Sequence, residues 1–105
     1  MLKKRRNRYL LVKIDSPESF DSQELMNTVW SAMIKLFGEY GASKSGLALI
    51  DFDVENRVAV LRVSHTEVEA VRAALASITK MQNKQAALHV LVVSGTIKAL
   101  CKKRN

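Results

Sequence analysis

Cys101 is the only cysteine in the chain, so no internal disulfide can form. That excludes the stapled architecture of small secreted domains and favours a reducing compartment. Proline occurs once, at Pro17, and glycine four times, too few for a linker-like or low-complexity chain. No apolar run approaches the roughly 20 residues of a membrane-spanning helix. The apolar stretch from Tyr9 to Val12 is too short for the core of a signal peptide, and Lys13 ends it. A soluble intracellular protein with no membrane partner is the expectation.

Acid is missing in a more informative way. Residues 1–14 contain six bases and no acid, and residues 70–105 contain seven bases and no acid. All ten acids fall in 15–69, beside four bases, so the ends carry +13 and the middle −6. The net +7 is therefore polarised along the chain, which suits a polyanionic partner better than an even spread would. With 105 residues and a 48% hydrophobic content, one domain spanning 1–105 is expected. Residues 1–7 form a basic arm ahead of it.

Periodicity supplies the elements. Arg8–Ile14 alternates as a strand, with Leu10, Val12 and Ile14 on one face and Tyr9, Leu11 and Lys13 on the other. Asp21 and Glu24 make a capping box for a helix whose stripe is Met26, Val29, Trp30, Met33, Ile34 and Phe37. Gly38 is expected to stop this helix, and Gly41–Gly46 to connect it flexibly onward. Leu47–Asp53 and Arg57–Val63 read as a hairpin. Ser64 and Glu67 read as a second capping box, ahead of a helix carrying Val68, Val71, Leu75 and Ile78. Lys80–Gln85 reads as a polar loop and Ala87–Val93 as the fourth strand. The order β-α-β-β-α-β, with a short terminal helical segment, predicts an α+β, ferredoxin-like split βαβ fold. In it the helices share one face of an antiparallel sheet of order 4-1-3-2.

Pairing of the first and last strands brings the two basic ends together. The chain then presents a nucleic-acid surface whose candidates are Lys3, Lys4, Arg5, Arg6, Arg8, Ser94, Gly95, Thr96, Lys98, Lys102, Lys103 and Arg104. Within Ser94-Gly95-Thr96 a hydroxyl can cap the following segment, whose free N–H groups suit a phosphate. The sheet's second face is expected to hold Tyr9, Leu11, Ala59, Leu61, Val63, Ala87, Leu91 and Val93. So apolar a face implies a cover, and Tyr9, Leu11, Leu61 and Leu91 are its candidate protein-interface residues.

An RNA reader of this topology stacks bases on aromatics of its first and third strands, but the third strand here has none. Binding through phosphates is expected instead. His65 and His89 have no partner in a recognisable motif, Asp51 and Asp53 suit the end of a strand better than a cation site, and the loop at Asp15–Ser19 is acidic. No catalytic residue is assigned.

The basic start into Arg8-Tyr9-Leu10-Leu11, the Gly38-Glu39-Tyr40-Gly41 turn, the valine-rich third strand and Ser94-Gly95-Thr96-Ile97-Lys98 together resemble ribonuclease P protein component 2. The resemblance covers nearly the whole chain. It implies an RRM-like fold without stacking aromatics, and a non-catalytic subunit that binds the catalytic domain of the ribonuclease P RNA. It also implies a TIM-barrel protein subunit as partner, precursor tRNA as substrate of the holoenzyme, and a homodimer within the larger complex. Magnesium would be held by the RNA, with no cofactor on this chain. The location would be cytoplasmic, or nuclear and nucleolar in a eukaryote. From the residues alone, a free-standing RNA chaperone and a small-molecule-binding regulatory domain remain open; the placement of charge disfavours the second.

Overall fold

The computed structural model describes residues 6–17, 19–81 and 83–96. Most of the basic arm and the terminal helical segment lie outside these residues. The described chain runs β1 (Asn7–Asp15), α1 (Ser22–Lys44), β2 (Ala48–Asp53), β3 (Val58–Ser64), a 3-10 turn at His65–Glu67, α2 (Val68–Ser77), β4 (Lys80–Met81), β5 (Lys84–Gln85) and β6 (Ala87–Ser94). The main sheet has the order β2-β3-β1-β6, antiparallel throughout, which is the expected topology with β6 as its fourth strand. The stretch expected as a polar loop is a two-stranded hairpin, β4–β5, that buries Met81.

One face of the sheet packs against the helices. Leu10, Val12 and Ile14 of β1 meet Leu25, Val29 and Met33 of α1 and Val71, Ala74 and Leu75 of α2 in a single core. Each large side chain buried there contributes roughly 1.5–3 kcal/mol. The α1 capping box forms as expected: the Glu24 N–H donates to Asp21 Oδ1 at 2.8 Å, and the Asp21 N–H to Glu24 Oε1 at 3.1 Å. The second box does not form. The 3-10 turn moves the start of α2 downstream, so Glu67 occupies the N-cap position itself and Ser64 makes no capping hydrogen bond.

Two expectations about faces are corrected. On β3 it is Ala59, Leu61 and Val63 that enter the helix-side core, because Leu61 lies directly opposite Leu10 and Ala59 opposite Val12. Directly opposed residues share a face, so Val58, Val60 and Arg62 take the other side. Leu61, 1% exposed, is core and not an interface residue. On β6, Leu11 pairs with Val92 whereas Val12 pairs with Val90, which leaves Leu91 as the extra residue of a bulge. Beyond that bulge the faces swap: Val92 joins Leu11, Val58, Val60 and Tyr9 in a second small cluster, and Val93 stands opposite Leu10 on the helix side.

Helix α1 departs from expectation as well. Gly38, at φ 75° and ψ 174°, breaks the helix but does not end it, and helical geometry resumes to Lys44. Only glycine tolerates that backbone conformation readily. The buried line is Leu25, Val29, Met33 and Ala42. Trp30, Ile34 and Phe37, members of the expected apolar stripe, are 37%, 37% and 41% exposed. The sheet and α2 together cover only one flank of so wide a stripe.

Candidate nucleic-acid interface

Because β1 and β6 are antiparallel neighbours, the start of one lies beside the end of the other. Tyr9 stands opposite Ser94. One step outward, a methyl group added to Gly95 would sit 3.8 Å from Arg8 Nη1, so the guanidinium lies close over the glycine. Arg8 Nη1 also donates to the Asn7 carbonyl at 3.1 Å, which holds the side chain across the sheet end. Ser94 Oγ accepts the Thr96 N–H at 3.2 Å, and this serine turn carries the chain off β6. Arg6 is anchored through its backbone: its carbonyl accepts the His65 N–H at 2.9 Å and lies 3.1 Å from His65 Nδ1. His65 thus ties the beginning of β1 to the 3-10 turn.

Of the residues expected from sequence, the structure brings Arg6, Arg8, Ser94, Gly95 and Thr96 to one end of the sheet. Lys3, Lys4, Arg5, Lys98, Lys102, Lys103 and Arg104 lie outside the described residues. The basic runs they belong to join the domain at Arg6 and Thr96, both at that same end. Tyr9 and Leu11 lie on the face away from the helices, as expected, but Leu11 is 3% exposed and packs in the second small cluster, so it is not an open interface residue; Leu91 projects from the bulge at 52% exposure.

Arg62 was hidden by the facing expected from sequence. It stands between Ala48 and Tyr9 in register, so Ala48, Arg62, Tyr9 and Ser94 form a row across the face away from the helices, at the basic end. Its charge was the available signal, since a lone arginine in an apolar strand belongs on the side that the helices leave free. Guanidinium groups present rigid forks of donors that match phosphate oxygens, and Arg6, Arg8 and Arg62 place three such forks at this end. Tyr9 beside Arg62 adds one aromatic surface, short of the paired platform of a base-stacking sheet.

The other polar side chains have structural work. Asp53 accepts hydrogen bonds from the Asn56 backbone and side chain at 3.1 and 2.7 Å and shapes the β2–β3 turn. Asp51 Oδ1 accepts the Phe52 N–H at 2.9 Å. Arg57, at φ 55°, donates to the Ser16 carbonyl and fastens that turn to the loop after β1. His89 Nε2 lies 4.0 Å from Asp15 Oδ2, with both side chains largely exposed. Among the described residues no three His, Cys, Asp or Glu side chains gather into a metal-binding group, and no helix is long and apolar enough to cross a membrane.

Comparison with known proteins agrees with this geometry. The model of the Rpp14/Pop5 family matches residues 8–104. Ribonuclease P protein component 2 of Methanosarcina mazei is 35% identical over 98 residues, which cover 93% of this chain and 83% of that protein. The protein of the same name from Methanobrevibacter smithii is 34% identical over 107 residues, covering 95% and 88%. A chain in the cryo-EM structure of yeast ribonuclease MRP superposes with a TM-score of 0.70 at 13% identity, over 99% of this chain and 95% of that one. That likeness is one of fold.

Proposed function

This chain belongs to the Rpp14/Pop5 family, and from that premise we propose that it is a protein subunit of ribonuclease P. It binds the catalytic RNA of the enzyme and supports removal of the 5′ leader from precursor tRNA, while the RNA carries the chemistry. Magnesium, in this reading, belongs to the RNA. The observation that carries the proposal is the β1–β6 pairing, which sets Arg8 against Gly95 and brings the two points where the basic runs join the domain, Arg6 and Thr96, to one end of the sheet. Such a focus attracts phosphates and steers a polyanion to one side of the protein.

The proposal extends to a TIM-barrel protein subunit as direct partner, to a pair of these chains within the assembled enzyme, and to a cytoplasmic location, or a nuclear one in a eukaryote. A free-standing RNA chaperone shares the basic end, but it gives no reason for aromatic side chains standing out from α1. Reconstitution decides between them. Adding the chain to ribonuclease P RNA and the other protein subunits should raise the rate of leader removal at limiting magnesium. Band-shift titration should show preference for that RNA over an unrelated structured RNA of equal length. No stimulation together with no preference would sink the proposal.

A further inference from the structure

Arg6 stands just outside the sheet. The last pair of β1 with β3 at this end is Asn7 with Ser64, and with β6 it is Tyr9 with Ser94. An exposed residue beyond the final pair frays unless something outside the ladder holds it. His65 holds Arg6 twice. Its backbone N–H donates to the Arg6 carbonyl at 2.9 Å, and its ring Nδ1 lies 3.1 Å from the same oxygen. A carbonyl only accepts, so Nδ1 carries the hydrogen in this contact.

The turn that carries His65 is itself fixed from the helix side. The Ser64 N–H donates to the carbonyl of the fully buried Ser45 at 2.8 Å, and the Ser45 hydroxyl donates to the Ala42 carbonyl at 2.6 Å. The Ser64 and Thr66 hydroxyls lie 3.3 Å apart, and Thr66 Oγ1 donates to Glu67 Oε2 at 3.2 Å. The Glu67 side chain is only 15% exposed, with Lys44 Nζ 4.0 Å from that same oxygen. A polar network thus runs from the end of α1 through Glu67 and the 3-10 turn to Arg6. By charge alone, a carboxylate near the cationic end lowers the attraction for RNA. By geometry, it holds the turn on which His65 stands.

We propose that His65 is a positioning residue for RNA binding. By holding the Arg6 carbonyl it fixes the point from which the Arg6 guanidinium and the basic run before it reach the RNA, and Glu67 keeps His65 in place. The inference rests on the ribonuclease P reading, in which this end of the sheet meets the RNA backbone. Neither side chain needs to touch RNA. A residue already ordered in the free protein loses less freedom when a phosphate arrives, so binding tightens without a new contact.

Full-length variants titrated with ribonuclease P RNA by filter binding at fixed salt test it. His65 is exposed, so His65→Ala should keep the wild-type circular dichroism while binding about three- to tenfold more weakly. His65→Asn puts an amide donor near the position of Nδ1 and should restore most of the affinity. Glu67→Ala should also weaken binding, although loss of an acid would by charge alone tighten it. Where Lys3, Lys4, Arg5 and Arg6 are already alanine, His65→Ala should have little further effect; in an Arg62→Ala background its effect should persist in full. Unchanged or tighter binding by Glu67→Ala overturns the inference, as does full additivity of His65→Ala with the four-residue variant. Equal losses in His65→Ala and His65→Asn also overturn it and make His65 a direct RNA contact through Nε2. All three results leave the ribonuclease P reading intact. A wild-type chain with no preference for this RNA over an unrelated structured RNA overturns both.

Discussion

The basic end of β1 and β6 and the elbow of α1 are built by opposite means. At the sheet end, ordinary strand pairing collects residues from both ends of the chain, and Arg8, Arg62 and Ser94 are held by a register any antiparallel sheet could supply. The elbow is local: it lies between Trp30 and Ser43, and it exists only because Gly38 and Gly41 permit the bend. The first is cationic and holds its aromatic, Tyr9, partly buried in the sheet; the second has Glu39 between Lys35 and Lys44 and holds its aromatics out to solvent. A surface made for a polyanion needs charge more than shape.

Breaking what both regions share should have the largest effect. Leu61→Lys places a charge opposite Leu10 inside the helix-side core, where removing an apolar side chain alone costs about 2–5 kcal/mol. We expect loss of the folded circular dichroism signal and of both binding activities together. Leu91→Lys, on the exposed bulge, should stay within about 0.5 kcal/mol of wild type in a urea melt. If Leu61→Lys remained folded, Leu61 could not face the helices as its pairing with Leu10 requires.

Separating the two regions comes next. Replacing Lys3, Lys4, Arg5 and Arg6 by alanine should flatten the slope of log K against log salt for RNA, by roughly 0.7–0.9 for each phosphate that the variant no longer neutralises. Affinity for the protein subunit should not change. An unaltered slope would mean that the arm does not touch the RNA backbone. Gly38→Ala is the converse case. Its φ of 75° with ψ 174° should cost about 1–3 kcal/mol in a denaturant melt, while the salt dependence of RNA binding stays as in wild type.

The smallest effect sharpens the picture at the serine turn. Gly95 has no positive φ, and a methyl group there would meet Arg8 Nη1 at an ordinary 3.8 Å. Gly95→Ala should therefore change stability by about 1 kcal/mol or less. If a phosphate closes on this turn, RNA affinity measured by filter binding at fixed salt should still fall several-fold, because the methyl group occupies its approach. Wild-type affinity would leave the arginines alone to hold the RNA at this end.

The sequence by itself determined the element order, the sheet topology and the gathering of charge. Strand alternation, helical stripes and the Asp21–Glu24 box are local patterns, and a four-strand split βαβ arrangement follows from their order. Its first and last strands then have to pair, so Arg8 and Gly95 could be brought together on paper. Only tertiary structure decided which way side chains face. On β3, where six of the seven residues are apolar or small, alternation could not choose between faces separated by a single residue; the pairing of Leu61 with Leu10 chose. The bulge at Leu91 then reversed the parity of β6 part-way along, which no periodicity announces. The same holds for α1. Its apolar stripe was legible, but not how much of that stripe the sheet would cover, because burial depends on the width of the surface opposite. Trp30, Ile34 and Phe37 are apolar residues for which the fold has no interior left, so they stay at the surface.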